Sequence, residues 1–300
     1  MPLTQRTDPY PHWEFSAPWG DRLRIVPERG GLVTGWRCGG RERLYFDAER
    51  FADPAASVRG GIPVLFPICG NLPGDRLELP QGSFLLRQHG FARDLPWQLE
   101  PLEPAAAGTA AGIRLRLEDS PATRASFPFA FRLDLELRLE PGALAITARI
   151  SHREGTVPTD GGTSPATAMP FSFGLHPYLA VSALEAVELE GLPDTCFDHH
   201  PMAPAATATQ LERLAQGVDL LSAPSGPVRL WDRGAGSGLE LQTTAPFDLV
   251  VVWTDPPRPM LCLEPWTAPR GSLATGERRL ELAPGASQEL HCRYRVLDDA

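Results

Sequence analysis

From residue 129 to 140 the chain alternates strictly. Phe129, Phe131, Leu133, Leu135, Leu137 and Leu139 share one parity, and Ala130, Arg132, Asp134, Glu136, Arg138 and Glu140 share the other. Successive side chains of a strand point to opposite faces, so this pattern predicts a long strand with one face in a core and one in water. Pro141-Gly142 turns the chain, and Leu144, Ile146, Ala148 and Ile150 carry the apolar parity onward, which predicts an antiparallel hairpin. Ile113-Arg114-Leu115-Arg116-Leu117 predicts a third strand of the same kind. Shorter runs at 23–26, 32–36 and 44–46 are bounded by Gly, Pro or Arg-Gly punctuation, and 95–99 is extended. The last third adds strands at 228–231, 239–242, 249–253, 260–264, 280–282 and 289–296. Only 210–216, ended by Gly217, predicts a short helix. Residues 1–20, rich in proline and tryptophan without periodicity, predict an arm lying on the domain. The stretches 101–111, 155–168 and 201–209 predict loops. No repeat of fixed period occurs, which argues against a propeller or solenoid. Strands with almost no helix predict an all-β protein, one domain over 1–300, with two antiparallel sheets packed face to face.

Composition narrows the function more than the fold. The chain has 300 residues, 42% of them hydrophobic, enough for a full core. Its formal charge of -9 lacks the basic face of a nucleic-acid binder. All 28 Lys+Arg residues are arginine, which removes Schiff-base and lysine-base mechanisms. Five cysteines, an odd number without a C-x-x-C pair, support neither a disulfide framework nor a zinc site. Met1 to Tyr10 has no apolar core of a signal peptide, and no run of about 18 apolar residues follows. The expectation is a soluble cytoplasmic protein with no membrane and no nucleic-acid partner.

Candidate chemistry lies at three places. Arg59-Gly60-Gly61-Ile62-Pro63 and His89-Gly90-Phe91-Ala92-Arg93 put two arginines and a histidine on glycine-rich turns. Such a cluster suits an anionic or hydroxyl-rich small molecule, and a buried turn with structural arginines would look much the same. His176 ends an apolar run, Phe171-Ser172-Phe173-Gly174-Leu175, and precedes Pro177-Tyr178. A titratable group at the end of a buried strand has either a partner or a task. Glu264 ends Met260-Leu261-Cys262-Leu263 and is followed by Pro265-Trp266. Burying that carboxylate costs several kcal/mol unless it is paired or protonated, and a surface glutamate capping a strand is the alternative. Of the other histidines, His291 is on the polar parity of the last strand, and His12 and His152 are in turn-like surroundings without a partner. Asp198-His199-His200 makes a weak metal site, because adjacent strand residues face opposite ways and no third spaced ligand follows.

These stretches, in this order and with Val252-Trp253-Thr254 before Glu264-Pro265-Trp266, resemble the aldose 1-epimerase (galactose mutarotase-like) family from about Asp21 to Val296. The resemblance implies an antiparallel β-supersandwich with few short helices and a sugar in an open cleft on one sheet. It implies Glu264 as general base, His176 as general acid, and His89 and, less directly, Asp219 as sugar-binding residues. Trp266 or Phe91 would wall the sugar's C–H face. No cofactor and no metal are implied. The partner is a small-molecule sugar or sugar phosphate. His89-Gly90-Phe91-Ala92-Arg93 with Arg59-Gly60-Gly61 is similar to the hexose-6-phosphate 1-epimerase branch, in which Arg59 and Arg93 would hold the phosphate. The longer Asn71 to Arg87 segment is more like the free-sugar members. Anomer exchange by ring opening wants an acid and a base with pKa values near working pH. The expectation is that burial raises Glu264 and that nearby carboxylates raise His176. A non-catalytic sugar-binding protein is the alternative from another class. A lyase or glycosidase would need a tyrosine or paired carboxylates, for which Tyr178 is thin support.

Overall fold

The alternation at 129–140 becomes the strand Phe131–Glu140, and its return is Ala143–His152. Their register pairs Leu133 with Ile150, Leu135 with Ala148 and Leu137 with Ile146, so every apolar pair falls on one face. The computed structural model describes residues 3–103, 111–153, 156–159, 162–165 and 167–298. Among these, the hairpin sits inside an eight-stranded antiparallel sheet. Its order is Val187–Glu190, Val228–Asp232, Ser237–Thr243, Ser287–Asp298, Ala143–His152, Phe131–Glu140, Gly112–Glu118, Gln98–Leu102.

A second sheet lies across the core from it. Its order is Ala203–Ala206, Thr195–Asp198, Asp219–Ser222, Leu249–Thr254, Met260–Trp266, Gly174–Leu175, Val64–Leu65, with Tyr178–Ala180 also paired to Met260–Trp266. Val250, Val252, Leu261 and Leu263 of this sheet join Phe131, Leu133 and Leu135 of the first in one hydrophobic cluster. Each fully buried side chain of this kind contributes about 1.5–3 kcal/mol. Two packed antiparallel sheets with four short α-helices among the described residues are the supersandwich that the strand pattern and the resemblance predict.

Period two then dictates the opposite face of the second sheet. If Leu261 and Leu263 face the core, Cys262, Glu264 and Trp266 must face away from it. Leu249, Val251, Leu221 and Trp266 form a separate small apolar cluster on that side. All seven residues of Met260–Trp266 are buried, so Glu264 is not a surface cap.

Several expectations need correction. Residues 3–6 and 12–16 of the proline-rich start are strands of a five-stranded sheet with Arg22–Val26, Leu32–Cys38 and Arg41–Glu42. The run 44–46 forms only isolated bridges, to Leu179 and Gly60. Part of 101–111 and of 155–168 lies outside the described residues, but 156–159 and 162–165 pair as a short hairpin. Residues 203–206 form a strand, and the helix expected at 210–216 is Thr207–Leu211 followed by a 3-10 turn at Leu214–Gln216. His12 and His152 do have partners: their Nδ1 atoms meet Tyr10 O at 2.7 Å and Leu282 O at 2.9 Å. Segment 71–87 folds as a hairpin of Arg76–Leu79 on Gly82–Leu85.

Candidate active site

Three chain segments converge on the outward face of Met260–Trp266. Pro177 has no N–H and interrupts the ladder between Gly174–Leu175 and Tyr178–Ala180. His176 sits in that gap, anchored by its own N–H to Pro63 O at 3.0 Å. The Arg59–Pro63 turn fits because Gly61 has φ +71 and an added Cβ would lie 2.3 Å from Val33 O. His89 (φ +67) and Gly90 (φ +69) make the second turn, and a Cβ on Gly90 would lie 2.2 Å from Phe66 O. These glycines therefore serve backbone against backbone packing that brings His89 and Arg93 to the site.

The result is a cavity of about 310 Å³ lined by Arg59, His89, Arg93, His176, Asp219, Glu264 and Trp266, all seven named from the sequence. Ser57, Gln88, Tyr178, Val251, Trp253 and Arg270 complete its walls. Glu264 Oε1 lies 3.4 Å from His176 Nδ1, and Oε2 accepts from Trp266 Nε1 at 3.1 Å. His176 Nδ1 is itself buried without a hydrogen-bond partner. Tyr178 stacks on the His176 ring at 4.8 Å and 11°, while Trp253 meets it edge-on at 5.6 Å. The imidazole is thus fixed in plane with its Nδ1 edge toward the carboxylate.

Burial sets the titration of this pair. Desolvation, helped by Asp219, pushes Glu264 well above the usual carboxylate range, against the Trp266 hydrogen bond and the Arg270 and Arg93 charges. Desolvation and the Arg93 charge push His176 down to about 3. The expected direction for Glu264 holds, and that for His176 is corrected. The nearby carboxylates do not outweigh the loss of solvent and two arginines. Both shifts favour the neutral pair, a glutamic acid beside an imidazole.

His89 differs. Gly70 N–H donates to its Nδ1 at 3.1 Å, which leaves the neutral ring with its proton on Nε2. Desolvation and Arg93 hold it well below its ordinary value. It is a neutral hydrogen-bonding group rather than a charge. Arg93 donates to Gln88 O at 3.1 Å and has no carboxylate within ion-pair distance among the described residues. Arg59 lies 3.7 Å from Asp255 and 5.9 Å from the Trp253 ring.

The described residues contain one grouping of possible metal ligands, His176, Cys262 and Glu264. Burial and the Glu264 charge hold the Cys262 thiol well above its ordinary value, and a metal would need the thiolate. The set fits proton transfer better than coordination. Asp198-His199-His200 forms no such group: His199 Nδ1 binds Asp219 at 2.6 Å, and His200 is exposed.

Residues 21–295 match the sequence model of the family described as Aldose 1-epimerase. The chain belongs to the aldose 1-epimerase family. A solved structure, the Slr1438 protein from Synechocystis sp. PCC 6803, is similar at 36% identity and a TM-score of 0.84, covering 93% of this chain and 92% of that one. A galactose mutarotase-like protein from Clostridium acetobutylicum shares the fold at 15% identity and a TM-score of 0.76, covering 99% and 98% of the two chains. Among curated proteins, one named "Putative glucose-6-phosphate 1-epimerase" from Cenchrus ciliaris is 32% identical over 54% of this chain and 45% of its own length. One of the same name from Escherichia coli (strain K12) is 28% identical over 57% of this chain and 49% of its own length. In these matches the chain spans about half the length of the curated relatives.

Within the family frame, one placement differs from the sequence reading. Phe91, half-buried, packs on Phe66, Phe127 and Phe131 against the core and does not line the cavity. Trp266 lines the cavity but is buried, with His199 at 6.3 Å and Arg270 at 5.7 Å, and the half-buried Trp253 is the more open ring. Arg270, Gln88 and His199 were not singled out as site residues. Arg270 lies in a Pro-Arg-Gly turn without periodicity, and only the pairing of Thr195–Asp198 with Asp219–Ser222 brings His199 to the site.

Proposed function

We propose that the protein is an aldose 1-epimerase that interconverts the α and β anomers of a hexose by acid–base ring opening. The observation that carries this is the 3.4 Å approach of Glu264 Oε1 to His176 Nδ1 at a polar, sugar-sized cavity. Glu264 takes the proton from the O1 hydroxyl while His176 gives one to the ring oxygen. The C1–O5 bond breaks, C1 becomes an aldehyde, and rotation about C1–C2 presents its other face. Attack by the O5 hydroxyl, with the two proton transfers reversed, closes the other anomer. The carboxylate–imidazolium arrangement this needs differs from the neutral pair by one proton moved across the same short gap. Sugar hydroxyls that hydrogen-bond both groups favour the charged arrangement by replacing lost solvation. His89 Nε2–H and Asp219 supply a donor and an acceptor for the remaining hydroxyls.

Polarimetry with freshly dissolved α-D-glucose tests the reading. Glu264→Gln keeps the Trp266 hydrogen bond and removes the base, so kcat should fall about 10²–10⁴-fold with a smaller change in KM. Wild-type turnover by this variant would sink the assignment.

A second reading, a hexose-6-phosphate as substrate, rests on Arg93, which enters the cavity beside Arg59 and, among the described residues, makes no ion pair with a carboxylate. The names of the two curated relatives point the same way. Arg93→Ala should raise KM for glucose 6-phosphate at least about tenfold and leave turnover of free glucose nearly unchanged. Equal losses for both sugars would leave Arg93 as a hydroxyl ligand or a brace for the turn.

A further inference from the structure

Asp219 opens the strand Asp219–Ser222 and pairs with Trp253, two strands from Glu264 and on the same sheet face. Both its oxygens are held: Oδ1 by His199 Nδ1 at 2.6 Å and Oδ2 by Arg270 Nη2 at 3.0 Å. His199 is buried, and its own N–H donates to Asp219 O at 2.8 Å. Its ring lies over the Trp266 indole at 27°, and that indole donates to Glu264. His199 therefore touches two of the groups that surround Glu264, yet it is not among the residues lining the cavity.

We propose that His199 is a positioning residue for Glu264, clamping the Asp219 carboxylate through Nδ1 and backing the Trp266 indole with its ring. The inference rests on Glu264 being the base.

The groups facing Glu264 are His176 and Cys262 on its own side, Asp219 and Arg270 from one flank, and Arg93 from the other. Asp219 in turn faces His199, Arg270 and His200. The two arginines and the indole favour the Glu264 carboxylate, and the clamped Asp219 charge opposes it. A base held against a fixed negative charge binds its proton more tightly and is the stronger for it. Without the clamp the Asp219 carboxylate can rotate away about its remaining Arg270 contact or take a proton, and that opposition is lost.

Two variants separate the two contacts. His199→Phe keeps a flat ring over Trp266 and loses the donor to Asp219. His199→Asn keeps an N–H at the place of Nδ1 and loses the ring. Mutarotation of α-D-glucose is followed from pH 4 to 9 with each. For His199→Phe the alkaline limb of kcat/KM, the one Glu264 sets, should move about one unit toward lower pH, and kcat should fall about tenfold with KM within about threefold. For His199→Asn the limb should stay within about 0.3 unit of wild type. His199→Leu, with the same expectation as the phenylalanine variant, replaces it if that chain does not fold. A wild-type limb in the Phe or Leu variant, with only the melting temperature lowered, overturns the clamp and leaves His199 as a tie between strands. An equal shift in the Asn variant overturns it as well. Glu264→Gln assayed alongside distinguishes the levels. If it turns over like wild type, the base reading falls and this inference with it. If it is inactive while His199→Phe keeps the wild-type limb, the inference alone falls.

Discussion

At the scale of single residues, the site holds a carboxylate that the fold would be better off without. Burial raises Glu264 well above its ordinary range, so the native chain binds this proton more tightly than the unfolded chain does. Its contribution to stability is then full below the unfolded value and is lost as pH rises toward the folded value. His176 has the opposite sign. Its value is depressed to about 3, so stability declines as pH falls from about 6.5. Comparing Glu264→Gln with wild type leaves the histidine's own burial common to both. The variant should melt at the wild-type temperature near pH 4 and about 4 °C or more above it at pH 8, since ionising a buried carboxylate costs several kcal/mol. Thermal melts at the two pH values check this. A variant less stable than wild type at pH 8 would mean that the carboxylate is well paired rather than stored at a cost. The upward direction for the glutamate was legible from an apolar strand running into it, provided that the strand's end was buried. The histidine's shift was not, because it comes first from the burial of the ring and then from Arg93, which reaches it only through the folded turn at His89–Gly90.

At the scale of elements, glycine-rich turns deliver the side chains and strands hold them. Gly90 has φ +69 and its missing Cβ faces Phe66 O at 2.2 Å, whereas Gly142 has φ +73 and nothing within 4 Å. Alanine at 142 should cost only the left-handed backbone, about 1–2 kcal/mol. Alanine at 90 adds a clash with main chain that cannot rotate away, for a total of about 3 kcal/mol or more. Chemical denaturation of the two variants measures the difference, and equal losses would show that the turn relaxes freely. The strands bordering the site were readable because they alternate. The proline-rich start was not, since Leu3–Arg6 and His12–Ser16 are too short to show a period, even though Phe15 is buried in the main core and Leu3 packs against it. The short strands at 203–206 and 156–165 were missed for a related reason. Their Ala, Pro, Gly and Thr residues show no period, and pairing with a neighbour is what extends them.

At the scale of the whole molecule, sequence and tertiary structure divide the outcome along one physical line. Local pattern fixes which face of a strand is apolar, because alternation is a property of the backbone alone. It therefore determined the antiparallel hairpins and the all-β class, while the burial of Glu264, open in the sequence, was decided when Met260–Trp266 was packed. Short motifs in order, read as a resemblance, determined the family and seven of the residues that line the cavity. What local pattern cannot state is which strands become neighbours. The order Thr195–Asp198, Asp219–Ser222, Leu249–Thr254, Met260–Trp266 brings His199, Asp219 and Glu264 onto one face across 65 residues of chain, counted from 199 to 264. The same docking puts Arg270 on Asp219, turns Phe91 against the core and buries Trp266. Charge interactions and desolvation act through space, so the titration of Glu264 and His176 was decided only when the sheets had packed.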